Sequence, residues 1–298
     1  KLWSMGPALW AMGCQWLLQA MPQNERKGKL PTMPRTVPAA IRRPAFDTEP
    51  AMSTTTATRP TGSSQPTAPA RLDMYVGIHK ALRHFMTDTL HRVGRMDPTD
   101  SADLARTLGQ FEDLMALCVN HIHHENDFVH AAIEARQPRG SSRTADDHVE
   151  HFEHIDALRA EARALARSAP AERPAQALRL YRHLALFVAD NFQHMNVEET
   201  ANNATLWAHY GDEELMDLHH RILASLPPAE TLEVMRWMIP ASSPAERAQI
   251  LGGMKAAAPA AAFQAVLEAV RPRLDDSAWG QLARAIGVAQ QPGLVDFR

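Results

Sequence analysis

Two stretches of the chain, His121-Ile-His-His-Glu125 and His194-Met-Asn-Val-Glu198, set a histidine four residues before a glutamate within runs of helical periodicity. On a helix, that spacing puts both side chains on one face, about 40° apart. Each pair joins the apolar stripe of its run, so folding drives it toward the interior. A buried carboxylate or imidazole without a partner is expensive, on the order of several kcal/mol for a charge even after relaxation. The chain therefore has to bring these helices together around something that compensates them. Two divalent cations held between facing helices would do so.

The flanking pattern supplies the helices. Leu72, Tyr75, Val76, His79, Leu82 and Met86 recur at three and four and mark a helix that closes by Gly94. A second run passes from Leu104 through Cys118, Ile122 and Glu125 to Ala135, and a third extends from about Thr144 to Ser168. A fourth opens at Pro174, suited to a first helical turn, and continues to His194 and Glu198. With a short further helix from Gly211 to about Leu226, this predicts an all-α fold, an antiparallel four-helix bundle over residues 72–226. All fifteen histidines lie between His79 and His220, so the chemistry is local. The candidate metal ligands are His79, His121, Glu125, His148, His151, His194 and Glu198. His148 and His151 are about 60° apart on their helix, so either or both can face the site. His84 competes with His79. The remaining histidines are read as surface or supporting residues, Tyr75, Phe111 and Trp207 as packing, and Cys118 as a small core residue. Imidazole and carboxylate together suit iron, manganese or zinc.

The order His79, His121-xxx-Glu125, a third-helix histidine and His194-xxx-Glu198 resembles the hemerythrin-like His-His-Glu cation-binding domain. The branch it resembles has two His-xxx-Glu helices and includes bacterial di-iron repair proteins. The resemblance spans roughly residues 72–222. It implies a bundle around two iron ions, a non-haem di-iron centre bridged by Glu125 and Glu198. His79, His121, His194 and one helix-three histidine would be terminal ligands, with Asp147, Glu150 or Asp190 bonding second ring nitrogens. The oxygen-carrying members have His-xxx-His on helix three, where this chain has His148-xx-His151-xx-His154. They end on an aspartate five residues after the last histidine, where this chain has Glu198 at four and Glu199 at five. Fewer histidines leave more open positions. That favours binding, sensing or reaction with oxygen, nitric oxide or peroxide, as in a stress response, over stable oxygen carriage. The alternative is a metal-dependent regulatory protein whose C-terminal helices dock a partner without catalysis, and zinc or manganese are the alternative metals.

The flanks carry less chemistry. Residues 2–21 are uncharged and rich in Trp and Met, but Gly6, Pro7 and Gly13 interrupt them and no small-x-small cleavage site follows. Residues 22–71 hold nine prolines and eight Lys/Arg against three Asp/Glu, a composition that cannot offset its ordering entropy. Residues 1–71 are therefore expected to be a disordered or non-native extension. Residues 227–298 read as Ala-rich helices opened by Pro or capping residues, a small helical C-terminal domain or an interface for a homodimer or protein partner. The net charge of -3 argues against a general nucleic-acid binder. Cys14 and Cys118 form neither a CxxC motif nor a disulfide framework, so a cytoplasmic protein is expected. No membrane association is expected unless residues 2–21 act as a targeting segment.

Overall fold

The computed structural model describes residues 71–290, and every regular element among them is helical. The expectations for residues 1–70 lie outside the described residues. Helix α1 is Val76–Arg95, and α2 is Ser101–His124, which runs through a π-helical turn, Glu125–His130, into α3, Ala131–Arg136. Helix α4 is Ser142–Arg167. Helix α5, Arg173–Val197, passes through a second π-helical turn, Glu198–Asn202, into α6, Asn203–His209. Then come α7 (Asp212–Ser225), α8 (Pro228–Ala241), α9 (Pro244–Ala257), α10 (Ala260–Val270), a 3₁₀ turn at Arg271–Arg273 and α11 (Asp276–Ile286). None of the described helices is long and apolar enough to cross a membrane.

The helix ends follow from local chemistry. Asp100 caps α2, its carboxylate accepting from the Ala102 N–H at 2.8 Å. Pro174 sits in the first turn of α5, where its missing N–H is no loss. Ser243 and Glu246 form a reciprocal capping box on α9. Helix α11 stops at Gly287, whose φ of 63° is the left-handed geometry that glycine adopts without a Cβ penalty.

Helix α1 packs on α2 and α5, and α4 packs on the same two helices. Their stripes meet in one apolar core that includes Leu82, Phe85, Leu114, Leu158, Leu184 and Phe187, all essentially inaccessible to water. Cys118 lies in this core, where burial pushes its thiol up to about 12. A smaller cluster built on Tyr75, Val129, Ile133, Leu206 and Leu215 closes the other end of these helices. The histidines and glutamates fall between the two layers. Along α2, Cys118 and Ile122 belong to the large core, Glu125 follows, and Val129 belongs to the small one. The same sequence recurs on the next motif, where Met195 precedes Glu198 and Leu206 follows it.

Helix α8 belongs to two cores. Val234 and Trp237 enter the large one against α1, while Met235 and Ile239 join a third cluster with Leu251, Phe263, Val266 and Trp279 from α9, α10 and α11. The Trp237 indole stacks on Phe85 at 3.8 Å between ring centroids.

Candidate metal centre

Both His-xxx-Glu motifs end on the first residue of a π-helical turn, Glu125 in one and Glu198 in the other. Such a turn inserts a residue into the helix and loosens its hydrogen-bond ladder, and it recurs at functional sites. Here it resets the helical phase just past each glutamate. His130, five residues after Glu125, would stand about 140° away on a regular helix. Instead it is buried, with Nε2 3.1 Å from the Thr144 hydroxyl and 3.9 Å from Glu198 Oε1.

Six side chains converge from four helices into two overlapping groups: His79, His121, Glu125 and Glu198 in one, Glu125, His148, His194 and Glu198 in the other. Within each group the donor atoms all lie within 4.8 Å of one another. In the first, His121 Nε2 is 3.1 Å from Glu125 Oε1, and His79 Nε2 is 3.5 Å from that oxygen and 3.4 Å from Glu198 Oε2. In the second, His148 Nε2 is 3.3 Å from Glu125 Oε2, and His194 Nε2 is 3.3 Å from Glu198 Oε2. Glu125 thus turns one oxygen toward each group, and Glu198 is common to both.

For His79, His148 and His194, outer hydrogen bonds show which ring nitrogen faces inward. Nδ1 of His79 meets Glu199 at 3.1 Å, with Arg83 gripping the same carboxylate, and Nδ1 of His194 meets Asp147 at 3.1 Å. Nδ1 of His148 meets the Asn126 carbonyl oxygen at 2.8 Å. These oxygens only accept, so a neutral ring carries its proton on Nδ1 and aims the Nε2 lone pair at the site. Nε2 of His148 and Nε2 of His194 then stand 3.0 Å apart, a contact that needs a proton or a metal ion between the two rings. The Nε2 atoms of His79 and His121 and all four carboxylate oxygens of Glu125 and Glu198 are buried with no hydrogen-bond donor. Acceptors crowded in this way repel one another, and a cation among them is the chemistry they fit.

The electrostatics carry the same demand. Burial opposes charge on His79, yet Glu125, Glu198 and Glu199 raise it to about 10. His148, against the same burial, is raised to about 9 by Glu125 and Glu198. Burial dominates at His121 and lowers it to about 4. Burial would also push both glutamates up, but the surrounding imidazoles hold Glu125 at about 2 and Glu198 well below the ordinary carboxylate range. The two carboxylates stay ionised in a dry layer.

Six of the seven residues expected from sequence thus meet in the two groups. His151 is buried but stands outside both, its Nε2 directed 2.9 Å to Asp190. Among the expected supports, Asp147 holds His194 and Asp190 holds His151, whereas Glu150 makes none of these bonds. Tyr75 packs as expected and also brings a hydroxyl to the site's edge, where it accepts from Asn202 Nδ2 at 3.3 Å. Burial, then Glu198 and Glu125, push that phenol well above its ordinary value, so it remains neutral. His130 stays outside both groups, in the supporting role the sequence allowed it, whereas sequence reasoning missed Asn126 and Asn202, because α-helical spacing gives no sign of a π-helical turn.

Asp147→Asn is expected to weaken metal binding about 10- to 100-fold, because it loosens the orientation of His194. Asp190→Asn, acting on His151, should leave affinity unchanged. Competition with a chromophoric chelator measures both. Comparison with known proteins adds no assignment: no family model, curated protein or solved structure matches the chain.

Proposed function

We propose that this chain is a hemerythrin-like, antiparallel four-helix-bundle protein whose two groups of ligands hold a non-haem di-iron centre. It would bind, sense or react with a small oxidant: oxygen, nitric oxide or peroxide. The observation that carries the reading is the sharing of Glu125 and Glu198 between two four-donor groups. The ring of contacts α1–α2–α4–α5 supports the bundle. Each group offers two imidazoles and two shared carboxylates, fewer donors than an octahedral metal takes, which leaves positions for a diatomic or peroxide ligand.

Ferrous ions in such a site would supply the electrons for reducing an oxidant. The chain's own part is separable from that chemistry. Glu125 and Glu198 would fix the spacing of the two ions, and Glu199, Asn126 and Asp147 hold the imidazoles in the coordinating tautomer. The two apolar layers exclude bulk water from a site that would otherwise leak reactive species. The neutral Tyr75 hydroxyl, held by Asn202, would keep its proton at the edge of the site.

The test is metal content of protein purified without air, followed by an absorption spectrum as oxygen is admitted. Two irons per chain and a new near-ultraviolet or visible band are expected. Zinc or no metal, with a silent spectrum, would overturn the reading.

A second reading, a metal-dependent regulatory protein acting through its C-terminal helices, has one observation in its favour. On α1, His79 faces the site while its neighbour Lys80 is paired to both carboxylate oxygens of Glu246 on α9, at 2.6 and 2.8 Å. Metal occupancy and the C-terminal helices therefore act on the same helix.

A further inference from the structure

Away from the metal centre, α1, α2, α8 and the 3₁₀ turn enclose a cleft of about 300 Å³. Each of the four contributes one arginine to its lining: Arg92, Arg106, Arg236 and Arg273. Only two carboxylates, Asp113 and Glu233, line it with them. Within the lining the balance is four guanidinium groups to two carboxylates, with Asp88 and Asp103 at its margin.

Two of the guanidinium groups are held in place by contacts other than a close ion pair. Arg273 sits over the Trp237 ring, its guanidinium carbon 3.9 Å from the centroid, and Asp88 and Glu233 act on its charge from beyond ion-pair range. Arg92 is anchored by neutral groups, donating to the Gln110 carbonyl oxygen at 3.0 Å and, more weakly, to the Thr107 hydroxyl at 3.4 Å. Gln110 is itself fixed, donating to Asp88 at 2.7 Å and to the Thr89 hydroxyl at 3.1 Å. The other two arginines are only loosely paired: Arg236 with Glu233 at 3.5 Å and Arg106 with Asp103 at 3.4 Å. Gly109, also in the lining, is exposed, and a Cβ there would meet nothing within 4 Å.

Guanidinium groups gathered at one cleft repel one another, and an anion shared among them relieves that repulsion. Their preset orientation also removes much of the ordering entropy that anion binding would otherwise cost. We propose that this cleft binds a phosphate group, with Arg92, Arg106 and Arg273 as its principal donors. Donors that arrive from separate elements suit the spread oxygens of a tetrahedral dianion better than the planar pair of a carboxylate. The sequence has no glycine-rich phosphate loop, so recognition here rests on side chains brought together by the packing of α8 on α1. The inference does not depend on the metal centre.

The experiment is calorimetric titration of the full chain, as purified, with inorganic phosphate at constant ionic strength, the arginine variants separating binding in this cleft from binding elsewhere. A phosphate monoester, glycerol 3-phosphate, and a dicarboxylate, succinate, are run in parallel. Saturable binding of one phosphate per chain is expected. Arg92→Gln and Arg273→Gln should each weaken it about tenfold or more, as for loss of a charge-assisted contact. Arg163→Gln, an exposed residue on α4, should not change it. Arg92→Gln leaves the Trp237 stack untouched, so it decides the matter if Arg273→Gln misfolds. Tighter binding of the monoester would identify a phosphorylated small molecule as the ligand, and equal binding would identify free phosphate. Absent saturation, equal affinity in the arginine variants, or succinate binding as tight as phosphate would overturn the assignment.

Discussion

Replacing Glu125 and Glu198 together by glutamine is expected to take the protein from two bound metal ions per chain to none. The exchange keeps side-chain size and removes the only two carboxylates common to both groups of ligands. Glu198→Gln alone should weaken both ions rather than one, since its Oε2 is 3.4 Å from His79 Nε2 in one group and 3.3 Å from His194 Nε2 in the other. A terminal ligand behaves differently. His121→Ala takes a donor from the first group only. Stability reports the same event, because a ligand that binds only the folded state stabilises it by about 4 kcal/mol when present at a thousand times its dissociation constant. The parent protein should show that difference with and without metal, and the double variant should show none. Elemental analysis after reconstitution, with thermal unfolding in parallel, checks both. Two ions retained in the double variant would remove the basis for a shared-carboxylate centre, and loss of a single ion in Glu198→Gln would show that Glu198 does not bridge.

Much of this arrangement is legible in the sequence, for physical reasons. A helical stripe forces every third or fourth residue inward, so Leu82, Phe111, Leu158 and Leu184 could be assigned to a core, and the ligands interrupting their stripes could be assigned to its interior. The i, i+4 pairs His121–Glu125 and His194–Glu198 needed no tertiary information. His148 and His151 show where that reasoning stops. Both are buried, but only the ring nitrogens distinguish them, one directed at Glu125 and Glu198, the other at Asp190 near the surface. Burial can be read from periodicity, whereas ring orientation depends on which acceptor the neighbouring helix supplies. His130 could be named as a surface or supporting residue, but its burial could not be read, because a π-helical turn changes the angular step on which every periodicity argument rests. The arginine cleft was equally invisible, since its four guanidinium groups come from positions 92, 106, 236 and 273, which no local pattern connects.

Trp237→Ala is expected to be the most damaging single change outside the metal centre, at about 3–5 kcal/mol, a large part of the roughly 5–15 kcal/mol that holds a typical domain folded. The indole is 1% exposed. It stacks on Phe85, receives the Arg273 guanidinium on its ring, and donates its N–H to Glu233 at 2.8 Å. Alanine leaves a cavity and removes the largest of the side chains that join α8 to α1. Because α1 also carries His79, metal affinity should fall with stability. Trp279→Ala is the informative comparison. Trp279 is also buried, but it packs only in the third cluster, with Val266, Leu267 and Leu282. Its loss should loosen α9 to α11 while leaving the large core and the metal affinity intact. Chemical denaturation followed by circular dichroism, with metal titrations on each variant, separates the two. If both substitutions spare metal binding equally and the parent protein unfolds in two steps, residues beyond 226 form an independent domain. A single transition, with metal affinity lost only in Trp237→Ala, would mean that α8 is a structural part of the metal-binding body and that the C-terminal helices bear on His79 through α1.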